Sequence, residues 1–292
     1  MCRWMAWLGQ PVAIEELLFE SQHGIVDQSL HSRLGAEPTN GDGFGLGWYG
    51  NRERPGVYRG VAPAWADPNL RELAAQVEAP LFIAHVRAAI GSPVQQTNCH
   101  PFRHGRWLFV HNGYVDHFAD LRRELMLAVD PQLFPAIQGS TDTEVVFQLA
   151  LTLGLESDPI GALERAVGLI ESTARERDLV PLVQATFGVS DGESLWGVRY
   201  ATEGRARSLF VSADVDAVRR LHPHDRRLQR LSADDRLVVS EPFSDLPGVW
   251  EEVAQSSALV VRRGGVLEQR PFSPAPPTAL ASDQRELGTA HA

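Results

Sequence analysis

The chain has 292 residues, of which 43% are hydrophobic, and 37 acidic side chains against 27 lysines and arginines give a formal net charge of −10. This length and apolar content suffice for a substantial core, and the negative charge argues against a nucleic-acid or acidic-membrane surface. No apolar run approaches the ~20 residues of a membrane span, and the N-terminus lacks the charged n-region and apolar h-region typical of a signal peptide. No disulfide framework is expected, because the sequence has only two cysteines, Cys2 and Cys99. These features predict a cytoplasmic protein in a reducing compartment.

The first half of the chain is predicted to alternate strands with short helices, from apolar periodicity and capping signals. The predicted strands are residues 3–9, 44–49, 57–61, 81–86 and 107–110, and the predicted helices are residues 11–19, 67–77 and 117–129.

The second half begins with two helices, predicted over residues 145–155 and 158–177, and continues with strands. The predicted strands are residues 182–189, 194–200, 208–212, 236–240, 258–262 and 266–270. Strands, then helices, then strands again predict one α+β domain over residues 2–272. Residues 273–292 are rich in Pro, Ala and polar side chains, which predicts a disordered tail.

Met1-Cys2 is the first candidate for chemistry. A small residue at position two permits removal of Met1, which would leave one residue with both a thiol and a free α-amine. The thiolate is the nucleophilic form of cysteine, and an α-amine with a pKa of roughly 7.7–8.0 is a usable base near neutral pH. Cys2 is therefore a candidate N-terminal nucleophile, although a second-position cysteine alone is a weak signal.

Two further candidates follow buried strands. Arg87 closes the predicted strand that contains His85, and its guanidinium can grip a carboxylate with two hydrogen bonds; a structural salt bridge is the alternative. His111-Asn112-Gly113 follows the next strand. The Asn112 side chain and the Gly113 N–H on a tight turn could converge on one oxygen, as an oxyanion hole requires; a plain turn is the alternative.

Asp142 lies in the first turn of a predicted helix, where a carboxylate suits the helix dipole, and simple capping is the alternative. Gly43 lies in the glycine-rich segment before a strand, which alone indicates a turn. Together the candidates offer a nucleophile with its own base, an oxyanion hole, a cation for a carboxylate and an anion for an ammonium. An α-amino acid with a cleavable side-chain acyl group, glutamine or a γ-glutamyl amide, is the substrate that needs all four.

In these motifs and their order, the sequence resembles the class II glutamine amidotransferases, a family of N-terminal-nucleophile hydrolases. The resemblance covers residues 2–272, and the later strands are similar to a short stand-alone branch that includes the γ-glutamyl hydrolase of ergothioneine biosynthesis. The motifs that carry it, in order, are Cys2, Asp42-Gly43-Phe44-Gly45, His85-Val86-Arg87, Cys99-His100-Pro101-Phe102, His111-Asn112-Gly113, Thr141-Asp142-Thr143-Glu144, Ser240-Glu241-Pro242 and Trp250.

The resemblance implies an α+β fold, a four-layer αββα sandwich of two antiparallel sheets between helical layers. It implies a hydrolase without metal or cofactor that forms a γ-glutamyl thioester. The roles it assigns are nucleophile for Cys2, oxyanion hole for Asn112 and Gly113, and substrate binding for Arg87 (α-carboxylate), Asp142 (α-ammonium), Gly43 and His85.

The chain departs from the large synthase-linked members. Those carry an aromatic residue and a threonine after the arginine, whereas Ala88, Ala89 and Ile90 follow Arg87 here, and the chain has no room for a synthase domain. Both departures favour simple hydrolysis, or ammonia delivery to a separate synthase partner. Whether the chain forms a homo-oligomer stays open.

Two other functions remain as alternatives. A non-catalytic module that binds amino acids or assembles with a partner would keep Arg87 and Asp142 but would not need Cys2. A metallohydrolase could use some of the ten histidines. The pairs His100/His104 and His222/His224 are closely spaced, but neither comes with the acidic ligand or the helix context of a known zinc motif. Cys99 is interpreted as a core thiol, and residues 28–41 and 88–98 as loops that set specificity.

Overall fold

The computed structural model describes residues 2–34, 38–89 and 91–277, and these residues include thirteen strands and eight α-helices. The strands are β1 Arg3–Ala13, β2 Phe44–Tyr49, β3 Gly56–Gly60, β4 Glu78–Val86, β5 Phe102–His104, β6 Trp107–Val115, β7 Val183–Ser190, β8 Ser194–Ala201, β9 Phe210–Ser212, β10 Arg236–Val239, β11 Trp250–Glu252, β12 Ser257–Arg262 and β13 Val266–Pro271. The helices are α1 Ile14–Leu18, α2 Ile25–Leu30, α3 Pro68–Gln76, α4 Phe118–Leu127, α5 Asp142–Thr152, α6 Pro159–Glu176, α7 Val215–Leu221 and α8 Arg226–Arg230.

The strands form two antiparallel sheets that face each other. The first has the order β11-β9-β10-β1-β4-β2-β3 and the second the order β13-β12-β8-β7-β6-β5. Apolar side chains fill three layers: α1 to α3 against the first sheet, the space between the sheets, and α4 to α6 against the second sheet. The predicted four-layer αββα sandwich is therefore confirmed.

Side-chain alternation along β1 decides which layer each residue enters. Trp4 and Ala6 lie in the core between the sheets, whereas Met5 and Trp7 lie under the helices. The Trp4 indole donates to the backbone and side-chain oxygens of Thr186 on β7, at 3.2 and 3.0 Å, and so ties the sheets together at the N-terminal end of β1. Cys2 precedes β1 in the same alternation, so its side chain faces the second sheet.

Most predicted elements are present, with shifted ends. Asp67 caps α3 by accepting from the Leu70 N–H at 2.9 Å, as predicted. The helix predicted over residues 11–19 is wrong at its start, because residues 11–13 extend β1 alongside β4. Several short elements were not predicted: α2, β5, β11, α7 and α8.

The predicted domain boundary at residue 272 and the disorder of the tail stay predictions. Backbone N–H groups of Ser273 and Ala275 donate to the side chain and the carbonyl of Glu164 on α6, at 2.9 and 3.3 Å. Residues 278–292 lie outside the described residues. Within the described ranges no helix combines the length and the apolar character needed to cross a membrane.

Candidate active site

Cys2 lies at the end of the space between the sheets. Its neighbour Arg3 is paired with Val86 on β4, and on the other side the Ser240 N–H, just after β10, donates to the Trp4 carbonyl at 2.9 Å. The half-buried Cys2 thiol is 3.6 Å from the Ala88 carbonyl oxygen. Burial raises the pKa of this thiol above its ordinary value, while the charge of Arg87 opposes the shift and that of Asp142 adds to it. Met1, whose removal is predicted, lies outside the described residues.

Arg87 follows β4, the strand next to β1, and is 3% exposed. Its guanidinium donates to the Ser92 hydroxyl at 2.7 Å and to the Asp42 carbonyl at 3.3 Å, which leaves further N–H donors. Its backbone N–H donates to the Gly43 carbonyl at 2.8 Å. The predicted Arg87 and Gly43 are thus neighbours, on two chain segments that flank the thiol on one side.

The backbone conformation and the close neighbours of residue 43 require a glycine there. Its φ is +116°, and a Cβ there would lie 2.7 Å from the Cys99 sulfur and 2.8 Å from the Gly60 carbonyl oxygen. Cys99 is fully buried, in agreement with its interpretation as a core thiol. Glycine therefore lets the segment before β2 approach β3 and the end of β4 closely.

Asn112 reaches the same space from the second sheet. Leu108 and Val110 face the first sheet, so alternation places Asn112 on that face too. Asn112 is 2% exposed, and its side chain makes no hydrogen bond to a described residue; the buried atom left without a partner is the amide oxygen. A buried amide oxygen without a donor is costly, and the amide nitrogen, which bonds no described residue, is left to donate to a ligand.

The predicted turn at residues 111–113 is wrong, because β6 continues to Val115 and pairs with β7 along its whole length. The physical reason for Gly113 is a close backbone approach: a Cβ there would lie 1.8 Å from the Gln184 carbonyl oxygen. The Val115 N–H points away from β7, to the Asp142 carboxylate at 2.8 Å. N–H groups alternate along a strand, so the Gly113 N–H points to that same side.

Asp142 is the first residue of α5, and the Thr141 hydroxyl caps this helix by accepting from the Glu144 N–H at 3.3 Å. One Asp142 oxygen accepts from Val115 and the other from the Thr143 N–H at 2.7 Å. The carboxylate is thereby held at the edge of β6, with lone pairs left for another donor.

His85 is almost fully buried between the sheets, where its Nε2 lies 3.2 Å from the His111 carbonyl oxygen. Burial lowers the pKa of His85 to about 3, so this ring is neutral and donates. His111 in turn bonds the Thr143 hydroxyl on α5 at 2.9 Å. His85 therefore supports the strand that carries Asn112, and a direct role in substrate binding stays a prediction.

Sequence reasoning missed a buried network beside Cys2. The Glu241 carboxylate is 3.2 Å from the Arg3 guanidinium and 2.7 Å from the His23 ring. Burial raises the pKa of Glu241, but hydrogen bonds from His23 and from the N–H groups of Arg33 and Leu34, with the charge of Arg3, outweigh it and bring that pKa below its usual value. The Arg3 guanidinium also donates to the Cys2 carbonyl at 2.9 Å. The Ser240-Glu241-Pro242 motif was the available signal, but nothing in it named the partners.

Asp42 was missed in the same way. Its carboxylate accepts from the Ala89 N–H at 2.8 Å and so holds the chain just after Arg87.

The structure thus brings Cys2, Arg87, Asn112, Gly113 and Asp142 to one end of the sandwich. The described side chains include no cluster of three or more His, Cys, Asp or Glu residues placed to bind a metal ion.

Residues 21–277 match the family model described as class II glutamine amidotransferases. The chain is 33% identical over 298 residues to a Saccharomyces cerevisiae protein named probable glutamine amidotransferase DUG3, covering 91% of this chain and 83% of that relative. It is 28% identical over 269 residues to the γ-glutamyl-hercynylcysteine sulfoxide hydrolase of Mycolicibacterium smegmatis, covering 91% and 98%.

A solved structure from Silicibacter pomeroyi, described as a glutamine aminotransferase class-II domain protein, is similar over almost the whole fold. The TM-score is 0.69 at 33% sequence identity, and the match covers 94% of this chain and 100% of that one.

Proposed function

The chain belongs to the class II glutamine amidotransferases, and on that premise we propose that it hydrolyses γ-glutamyl amide bonds with Cys2 as an N-terminal nucleophile. The family predicted from the sequence is confirmed, and with it an enzyme that hydrolyses a C–N amide bond. The name of the Mycolicibacterium relative, a γ-glutamyl hydrolase, favours hydrolysis over ammonia transfer.

Activation of Cys2 is the first step. Because burial raises the pKa of its thiol, the nucleophile is protonated at neutral pH and needs a base. Removal of Met1 supplies one, since the freed α-amine has a pKa of roughly 7.7–8.0. The amine takes the thiol proton, directly or through a water, and the thiolate attacks the γ-carbonyl carbon.

The tetrahedral intermediate places negative charge on the former carbonyl oxygen. The side-chain amide of Asn112 and the N–H of Gly113 donate to that oxygen. The C–N bond then breaks, and the amine leaves with the proton that came from the thiol. Water attacks the γ-glutamyl thioester, which releases glutamate and restores the Cys2 thiol.

Arg87 and Asp142 hold the amino-acid head group. The remaining guanidinium donors of Arg87 bind the α-carboxylate, and the free lone pairs of Asp142 accept from the α-ammonium. Ser92, Asp42 and Val115 keep both groups in place, because each of them bonds one of these two residues.

The observation that supports this proposal is that Cys2 and Arg87 lie on adjacent segments of one sheet, while Asn112, whose side chain bonds no described residue, faces them from the other sheet. The test is release of glutamate from glutamine and a panel of γ-glutamyl amides by the wild type, Cys2→Ala and Cys99→Ala. We expect Cys2→Ala to abolish release and Cys99→Ala to retain it when folded. Full activity in Cys2→Ala would refute the mechanism.

A further inference from the structure

A cavity of about 520 Å³ opens next to Asn112, within the size range of small-molecule sites. Neither Cys2 nor Arg87 lines it, although Arg3, the neighbour of Cys2, does. Its polar lining among the described residues includes Arg3, Asn112, Arg199, Arg205, Arg207 and Glu252.

The cavity lies on the opposite side of the nucleophile from Arg87. In the first sheet, β4 and then β2 lie on one side of β1; Arg87 follows β4, and Gly43 precedes β2. On the other side of β1 lie β10 and then β9. Phe210 of β9 lines the cavity. In the second sheet, a row of paired residues crosses from β6 through β7 to β8: Asn112, Thr186 and Arg199. The cavity therefore extends from β6 towards β8.

This geometry separates the two parts of a γ-glutamyl amide. The proposed binding groups for the glutamyl head, Arg87 and Asp142, are outside the cavity. The amine that leaves from the γ-carbonyl must extend past Asn112 in the other direction. The cavity is therefore the space that lies open to the leaving group.

The charge of the cavity is positive, although the whole chain carries −10. Glu252 is the one acidic side chain in its described lining, and it is already 2.8 Å from Arg199. Arg205 is mostly exposed and reaches Glu252 at only 3.8 Å. The positive charge of the lining thus exceeds what its carboxylate can neutralise.

Arg207 is the cation of the described lining that no described carboxylate neutralises. No described residue accepts a hydrogen bond from its guanidinium, and its Nε is buried. Its backbone is fixed, because the Arg199 side chain donates to the Arg207 carbonyl at 2.8 Å. A partly buried guanidinium without an acceptor is unfavourable, and an anion that enters the cavity would satisfy it.

We infer that the preferred substrate is a γ-glutamyl compound whose leaving amine carries an anionic group, and that Arg207 binds this group. The inference rests on the proposed function, since it names the substrate class of that same site. A carboxylate, as in a γ-glutamyl amino acid or peptide, and a phosphate-like group share the required chemistry.

The test compares γ-glutamylglycine with γ-glutamylglycinamide, which differ in one negative charge, and adds γ-glutamyl-aminomethylphosphonate and glutamine. We expect a higher kcat/KM for γ-glutamylglycine than for its amide. In Arg207→Met that ratio should fall about tenfold or more, as expected for loss of a hydrogen bond between charged groups. Arg207→Lys should retain part of the ratio, and Arg226→Met, which removes an exposed charge on α8, should leave it unchanged.

Each outcome bears on the inference. A preference for the phosphonate over γ-glutamylglycine would support an anionic leaving group of the phosphate class. Equal kcat/KM for glycine and glycinamide compounds, or a ratio that Arg207→Met does not change, would overturn the inference while the proposed function stands. Failure of the wild type to hydrolyse any of the four would contradict the proposed function itself, and the inference with it.

Discussion

At the scale of single residues, the proposed reaction depends on the Cys2 thiol and the Asn112 amide, each of which needs another group in order to act. The Cys2 thiol is protonated because burial raises its pKa. The Asn112 side chain bonds none of the residues that the structure describes, so its amide nitrogen has no protein acceptor. Both conditions suit a site in which charge develops only during the reaction. The amide is then a donor that is already in place when the oxyanion forms.

Asn112→Ala removes one of the two proposed oxyanion donors. We expect kcat for glutamate release to fall by about 10²–10³, with little change in Tm, because the wild-type side chain makes no hydrogen bond to a described residue that would be lost. Steady-state kinetics and a thermal melt check both parts. A variant with wild-type kcat would remove Asn112 from the oxyanion hole.

At the scale of elements, β6 is the strand that places the site. It pairs with β7 through residues 108–115 and carries Asn112 on one face, while its free edge meets Asp142 at the start of α5. Sequence periodicity predicted β6 correctly up to Val110, but the Asn-Gly pair was interpreted as a turn because that dipeptide is a common turn signal. The contact that requires glycine comes from Gln184, more than seventy residues later, and no local pattern contains it.

Gly113→Ala should therefore act through the sheet. The new Cβ would lie 1.8 Å from the Gln184 carbonyl oxygen, so β6 and β7 must separate, and we expect a destabilisation of about 1–3 kcal/mol together with loss of activity. Urea unfolding measures the first effect. Gly50→Ala is the matched control, because a Cβ there meets nothing within 4 Å; equal stabilities for the two variants would contradict the account.

Three buried histidines near the site give the fold a pH dependence. Burial lowers the pKa of His85 to about 3, that of His100 well below its ordinary value, and that of His111 below its ordinary value. The unfolded chain binds these protons near pH 6.5 whereas the folded chain does not. The contribution of these neutral histidines to the free energy of unfolding is therefore fully present above pH 6.5 and is lost as the pH falls below it.

We expect the free energy of unfolding to fall between pH 6.5 and 5 by about 1.4 kcal/mol per pH unit for each histidine that stays neutral in the fold. Urea titrations at several pH values measure the slope. His224→Gln, at an exposed position, should not change the slope. A flat profile over this range would show that the buried histidines are charged in the folded state.

At the scale of the whole molecule, apolar alternation predicted where the main strands lie along the chain, because it is a local signal. The ordered motifs indicated the family, and the family resemblance implied the fold class. The candidate residues Cys2, Arg87, Asn112, Gly113 and Asp142 were also predicted, and the structure places them at one end of the sandwich. The Arg207 cavity and the link between Arg3 and Glu241 were not predicted. Both join residues about two hundred positions apart, so only tertiary packing reveals them.

The central claim is that Cys2, freed of Met1, is the nucleophile. The most direct measurement is mass spectrometry of the active enzyme after reaction with a thiol-reactive glutamine analogue. The account predicts one adduct per chain, on an N-terminal peptide that begins with Cys2, in proportion to the activity lost. Full activity with Met1 retained, or inactivation with the adduct on Cys99, would contradict it.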